Sequence, residues 1–96
     1  MLHTLPKPVI FAHRGASAHA PENTLAAFEL AREQGADAIE LDVKLSADGI
    51  PVVFHDPILD RITNGSGALA NFDLASLQQL DAGDGQRIPT LAQVFE

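Results

Sequence analysis

The chain has 96 residues, 46% hydrophobic and 20% charged, with no cysteine and a formal net charge of −7 from 13 acidic against 6 basic side chains. Such a balance belongs to ordinary globular sequence, and the length allows one small domain, able to bury ~60 to 68% of its unfolded surface. The thin scatter of cations excludes nucleic acid as a partner, because affinity for a phosphate backbone comes from clustered Lys and Arg. Without cysteine there is no disulfide framework and no thiolate metal site, which leaves oxygen and imidazole ligands and fits a reducing, cytoplasmic compartment. No apolar run approaches the ~20 residues of a membrane span, and Met1 to Pro8 lacks the apolar core and cleavage site of a signal peptide.

In chain order, Val9 to Ala12 is a short apolar run that predicts a buried strand ending at His13. Pro21-Glu22-Asn23-Thr24 opens a helix through Gln34: Asn23 or Thr24 caps it, Leu25 and Phe28 begin its apolar face, and Gly35 suits its left-handed end. Ala38 to Leu45 alternates polar and apolar residues and predicts one strand, and Pro51 to Phe54 predicts another. Ala47-Asp48-Gly49 lies between them as a hairpin signal. A two-residue turn at Asp48-Gly49 sets Asp42 opposite His55, and a four-residue loop sets Glu40 there; either register places His55 beside both carboxylates. Beyond Asp56 come a loop at Asn64 to Gly67, a short helix capped by Asp73 with Leu74, Leu77 and Leu80 on one side, and a loop at Gly83 to Gly85. Thr90 and Gln93 form a capping box that starts a last helix.

Glu40 and Asp42 are separated by one residue, so on a strand they share a face, and a hard divalent cation relieves the repulsion between such a pair. His13 stands at the C-terminal end of a strand, where α/β folds carry functional groups, and the hairpin directs His55 towards the acids. Two imidazoles beside a cation make a general acid and general base pair. Arg14 offers a planar fork either to phosphate or to a carboxylate in a surface ion pair, and Gly15 permits close backbone approach. Arg61 reads as structural, tying down its loop, and His3 and His19 read as exposed.

Together these segments resemble one family. His13-Arg14-Gly15, Pro21-Glu22-Asn23-Thr24, Glu40-Leu41-Asp42-Val43 and Val52-Val53-Phe54-His55-Asp56 stand in the order and spacing of the glycerophosphodiester phosphodiesterases. The likeness continues through Arg61 to Gly67, Leu80-Asp81-Ala82-Gly83 and Ile88-Pro89-Thr90-Leu91, although the loop that follows Gly83 lacks the aromatic residues usual there. The resemblance implies the N-terminal part of an α/β (β/α)8 TIM barrel of the PLC-like phosphodiesterase type, with a small insertion after the second barrel strand. Residues 8–96 then form a partial domain, with 56–87 as the insertion and 1–7 as an N-terminal extension. A whole barrel of this class needs ~250 residues, so the chain supplies about the first third, and a third metal-binding Glu with its accompanying Lys is expected on a later strand.

The implied activity is hydrolysis of a glycerophosphodiester, such as glycerophosphocholine, to glycerol 3-phosphate and an alcohol. The resemblance assigns His13 and His55 as the acid and base pair, with His13 the base and His55 the acid. It assigns Glu40 and Asp42 as ligands of Mg²⁺ or Ca²⁺, and Arg14 and Glu22 to substrate, Arg14 directly and Glu22 through supporting hydrogen bonds. Either water or the neighbouring glycerol hydroxyl attacks. The alternative is a fragment without turnover that keeps divalent-cation or phosphate binding and associates with itself through exposed barrel edges.

Overall fold

The apolar run ending at His13 and the start of the alternating run form a parallel pair. Strands β1 (Phe11–His13) and β2 (Ala38–Glu40) align Phe11 with Ala38, Ala12 with Ile39 and His13 with Glu40. The computed structural model describes residues 11–15, 20–36 and 38–95, with the side chains of residues 11–13, 38 and 39 not described. Val9, Ile10, His3, His19 and the extension at 1–7 therefore lie outside the described residues.

Helix α1 (Leu25–Glu33) joins the two strands into a βαβ unit. Of the two expected caps it uses Thr24, whose hydroxyl accepts from the Ala27 amide at 3.3 Å and donates to the Pro21 carbonyl at 2.6 Å. Gly35 follows the helix with φ 81°. The buried stripe is Ala27, Phe28 and Ala31, whereas Leu25 is 41% exposed. The apolar face thus begins two residues later than expected, because Leu25 lies a half-turn away from Ala27 on the first helical turn.

The single strand expected over Ala38 to Leu45 is broken. β2 stops at Glu40, and β3 (Val43–Leu45) turns away to pair antiparallel with β4 (Pro51–Val53), matching Val43 with Val53 and Leu45 with Pro51. The ladder extends to a bond from the Phe54 amide to the Asp42 carbonyl at 2.9 Å. Asp42 therefore faces Phe54, and both expected registers are off by one residue. The cause is a three-residue loop, Ala47-Asp48-Gly49, closed by the Ser46 amide on the Ile50 carbonyl at 3.0 Å, with Gly49 at φ 80°; such loops end in a left-handed residue that Gly supplies. The Asp48 carboxylate accepts from the Ser46 hydroxyl and from the Leu74 amide. The Ser46 bond comes first in holding its carboxyl below the usual carboxylate range. Val43 and Leu45 are exposed on β3.

The main core lies under β4. Val52, Phe54, Leu59, Leu69, Leu77, Ala82 and Ile88 are buried together, with Ile62, Phe72, Leu74 and Leu80 packed around them. Helix α2 (Leu74–Leu77) is capped by Asp73, and Leu80 contributes from beyond its end. An unanticipated 3₁₀ turn, Leu69–Asn71, adds Leu69. The far edge of β4 is taken by the next segment, where the Val53 amide donates to the Pro89 carbonyl at 2.9 Å and Val52 bridges Thr90. Helix α3 (Leu91–Val94) starts with the expected capping box of Thr90 and Gln93. Burial of Phe54 fixes where the chain delivers His55 and Asp56.

Candidate active site

The site is built where β1 and β2 end. The Arg14 amide donates to the Glu40 carbonyl at 2.7 Å and lies 3.3 Å from Glu40 Oε1, so the parallel ladder holds the backbone one residue past His13. There the chain turns sharply. Arg14 and Asn23 both have positive φ, 53° and 56°, and the Asn23 amide donates to the Arg14 carbonyl at 2.9 Å. A left-handed non-glycine residue costs about 1 kcal/mol or more, and such strain persists where surrounding bonds over-determine it.

These bonds aim a set of charged side chains at one another. Arg14 Nη1 lies 3.3 Å from Glu22 Oε2, and its Nε lies 3.4 Å from Asp42 Oδ2. That Nε is within ion-pair distance of Asp42, yet it is buried with no hydrogen-bond acceptor in line. Asn23 is 2% exposed, and its Nδ2 donates to Asp42 Oδ2 at 3.2 Å while its Oδ1 is buried without a donor.

From the β4 side, His55 Nδ1 is 2.7 Å from Asp56 Oδ1. Arg61 grips Asp56 with Nε at 2.8 Å and Nη2 at 3.0 Å, and grips Glu22 with Nη1 at 3.2 Å and Nη2 at 2.9 Å. The result is an unbroken run of contacts from His55 through Asp56, Arg61, Glu22 and Arg14 to Asp42, with carboxylate and guanidinium alternating from Asp56 onward. The hydrogen bonds from Arg61, then that from His55, hold the Asp56 carboxyl well below the usual carboxylate range. Asp56 and then Glu22 push Arg61 still higher.

Arg14, Glu22 and Asp42 are thus brought into contact, and His55 joins them through Asp56 and Arg61. Glu40 stands at the end of β2 as the register partner of His13, whose side chain lies outside the described positions. Of the two readings of Arg14, the fork is engaged in ion pairs, with Glu22 and Asp42. Sequence reasoning gave Asp56 no role, offered Asn23 only as a helix cap and left Arg61 structural. Arg61 and Glu22 are 39 residues apart, so no local spacing signals their contact. A groove of about 370 Å³ lined by Leu25, Gln78, Gln86, Arg87, Pro89 and Gln93 shares none of these residues; the charged groups converge instead at the strand ends.

Among the described residues, the ion pairs of Glu22, Asp42 and Asp56 run to Arg14, Arg61 and His55. In kind, two carboxylates on β2 and the loop after it, with an undonated amide oxygen beside them, fit a hard divalent cation. In number they fall short, since among the described residues no three His, Cys, Asp or Glu side chains gather at metal-holding spacing.

An acid and guanidinium cluster at the C-terminal ends of parallel strands in an α/β chain stands where α/β barrels carry their functional groups. The profile of the Glycerophosphoryl diester phosphodiesterase family matches residues 13–96, and the chain belongs to that family. It is similar to the glycerophosphodiester phosphodiesterase of Caldanaerobacter subterraneus, 53% identical over 94% of this chain and 40% of that one. A crystal structure of the Agrobacterium tumefaciens glycerophosphodiester phosphodiesterase aligns with TM-score 0.85 and 48% identity, covering 88% of this chain and 40% of the other. An Oleispira antarctica phosphodiesterase, solved with its product sn-glycerol 3-phosphate, aligns with TM-score 0.88 and 50% identity over 91% of this chain and 38% of that one. The expected family and fold class are borne out: the chain is α/β, the N-terminal part of a (β/α)8 barrel. It spans about 40% of the length of these relatives. Among the described residues no helix is long and apolar enough to cross a membrane.

Proposed function

We propose that this chain carries the first part of the active site of an enzyme that hydrolyses glycerophosphodiesters to glycerol 3-phosphate and an alcohol. One observation carries the reading: the run from His55 to Asp42 is assembled at the strand ends, in a chain half identical to an enzyme holding sn-glycerol 3-phosphate. His13 takes the proton from the attacking oxygen, and His55 returns one to the leaving alkoxide. Arg14 lies beside the developing phosphoryl charge, with Glu22 setting the direction of its fork. Glu40 and Asp42 would hold Mg²⁺ or Ca²⁺, which would supply polarisation of a phosphoryl oxygen. Asn23 keeps the Asp42 carboxylate turned inward by its 3.2 Å bond.

The unit is taken as residues 8–96, with 56–87 as the family insertion; the packing of Leu59, Leu69, Leu77 and Ala82 on Val52 and Phe54 supports treating that stretch as one module with the hairpin. A cytoplasmic location rests on the cysteine-free composition. Exposed Val43, Leu45, Ile58 and Phe95 favour self-association, which sedimentation measures.

The test is glycerol 3-phosphate release from glycerophosphocholine with Mg²⁺ or Ca²⁺, comparing the chain with His13→Ala and His55→Ala. Release that both substitutions and a chelator abolish is the expected result, and release that survives both substitutions overturns the assignment of the pair. A second reading, cation or phosphate binding without turnover by these 96 residues alone, is favoured by their spanning about 40% of their relatives. Calorimetric titration with Ca²⁺ and with inorganic phosphate separates it from the first.

A further inference from the structure

We infer that Arg61 is a positioning residue that fixes the orientation and tautomer of His55 through Asp56, and ties that imidazole to the Arg14 loop through Glu22. The inference rests on the proposed function for its catalytic meaning, and on geometry for its content.

Both faces of the Arg61 guanidinium fork are used. Nε and Nη2 meet the two oxygens of Asp56 at 2.8 and 3.0 Å, and Nη1 and Nη2 meet the two oxygens of Glu22 at 3.2 and 2.9 Å. A loop tie needs one partner; a planar fork between two carboxylates fixes the planes of both, and a lysine cannot reproduce it. With its side chain 48% exposed, Arg61 in a single pair would contribute little. Here its two partners are 17% and 14% exposed and each is engaged a second time, Asp56 by His55 and Glu22 by Arg14.

The consequence for His55 follows from donor and acceptor chemistry. Asp56 Oδ1 is shared by Arg61 Nη2 at 3.0 Å and His55 Nδ1 at 2.7 Å. A carboxylate kept ionised by a guanidinium only accepts, so the neutral imidazole must carry its proton on Nδ1. Nε2 is then left bare, ready to take a proton and, once charged, to give it to a leaving oxygen. The strong lowering of the Asp56 carboxyl by Arg61 agrees with an acceptor that stays ionised. Rotation of Asp56 out of the Arg61 plane would release the ring to either tautomer.

The experiment is ¹⁵N imidazole NMR on the ¹⁵N-His chain in alkaline buffer, with His55 assigned by a His55→Asn spectrum. The expected spectrum shows His55 mainly as the Nδ1–H form. In Arg61→Ala the Nδ1–H to Nε2–H ratio should fall about threefold, roughly half of the ~1.4 kcal/mol that a tenfold step represents. Arg61→Lys, which keeps the charge and loses the fork, should fall in between and serves if Arg61→Ala does not fold. Amide shifts of Leu59, Leu69 and Leu77 report whether the core is intact. An unmoved tautomer ratio in either folded variant overturns the inference. Release of glycerol 3-phosphate, followed in parallel, separates the two readings. A shifted ratio in a chain that never turns over sustains the positioning role and counts against the enzyme reading. Turnover with an unmoved ratio does the reverse.

Discussion

Replacing Gly15 with alanine tests the joint between the site and helix α1, and a second glycine supplies the reference. Gly15 has φ 77°, and a Cβ there would sit 2.8 Å from both the carbonyl carbon and the Cβ of Ala27, which is 0% exposed inside α1. Gly49, at the hairpin tip, has nearly the same φ of 80° and nothing within 4 Å of its would-be Cβ. Alanine in a left-handed conformation costs ~1 to 2 kcal/mol at either position. Only at Gly15 does the methyl meet backbone, which cannot swing aside, and overpacking of that kind costs a further ~1 to 3 kcal/mol. Gly15→Ala should therefore lose about 2 to 5 kcal/mol, and Gly49→Ala about 1 to 2. Urea titration followed by far-ultraviolet circular dichroism measures both, with equal m-values required for the comparison. Equal losses at the two sites would refute the close approach of the Arg14-Gly15 turn to α1. A larger loss at Gly49 would refute the three-residue loop as well.

Thr24→Val should cost ~1 kcal/mol, the usual price of a lost N-cap, while Thr24→Ser keeps the bond to Ala27 and stays near wild type; thermal midpoints decide between them. Leu77→Ala, in a fully buried position, should cost ~2 to 5 kcal/mol by urea titration. Asp56 has a folded pKa below its unfolded value of about 3.9, so its contribution is complete above that value and drains as pH falls towards the folded one. Asp56→Asn should therefore flatten the acid limb of a stability profile below about pH 4, leaving neutral-pH differences largely pH-independent.

The order of elements was legible because Gly, Pro and capping residues punctuate the chain: Thr24, Asp73 and the pair Thr90 and Gln93 all cap as their spacing implies. The break after Glu40 was not legible, since the polar and apolar alternation runs through Leu41 and Asp42 without interruption. Its cause is tertiary. β2 takes β1 as its partner, β3 takes β4, and the two pairings pull the chain in different directions. The hairpin register was missed for a similar reason. A third loop residue is stabilised by Asp48 accepting from Leu74, 26 residues away, a bond that no local signal announces. The one-residue slip carries a functional consequence, since Phe54, not His55, lies across from Asp42 and is buried. His55 reaches the carboxylate cluster through Asp56 and Arg61 instead of directly.

That difference shows how the site is held together. Arg14, Glu22 and Asn23 are positioned by the βαβ unit, through the Arg14 bond to Glu40 and the Thr24 cap. His55, Asp56 and Arg61 are positioned by a separate core under β4. Side-chain bonds between the two sets run through Glu22, which accepts from Arg61 and Arg14. Asp42 lies at the chain's own crossing from one unit to the other and takes Arg14 and Asn23. Loosening the β4 core, as in Leu77→Ala, should then disturb His55 before it disturbs Arg14, whereas Gly15→Ala should do the opposite. Glu22→Gln should affect both, because a neutral amide can neither satisfy two guanidinium groups with acceptors alone nor balance their charge. The acid that sequence reasoning assigned to substrate is, in this geometry, the group on which the alignment of Arg14 with His55 depends.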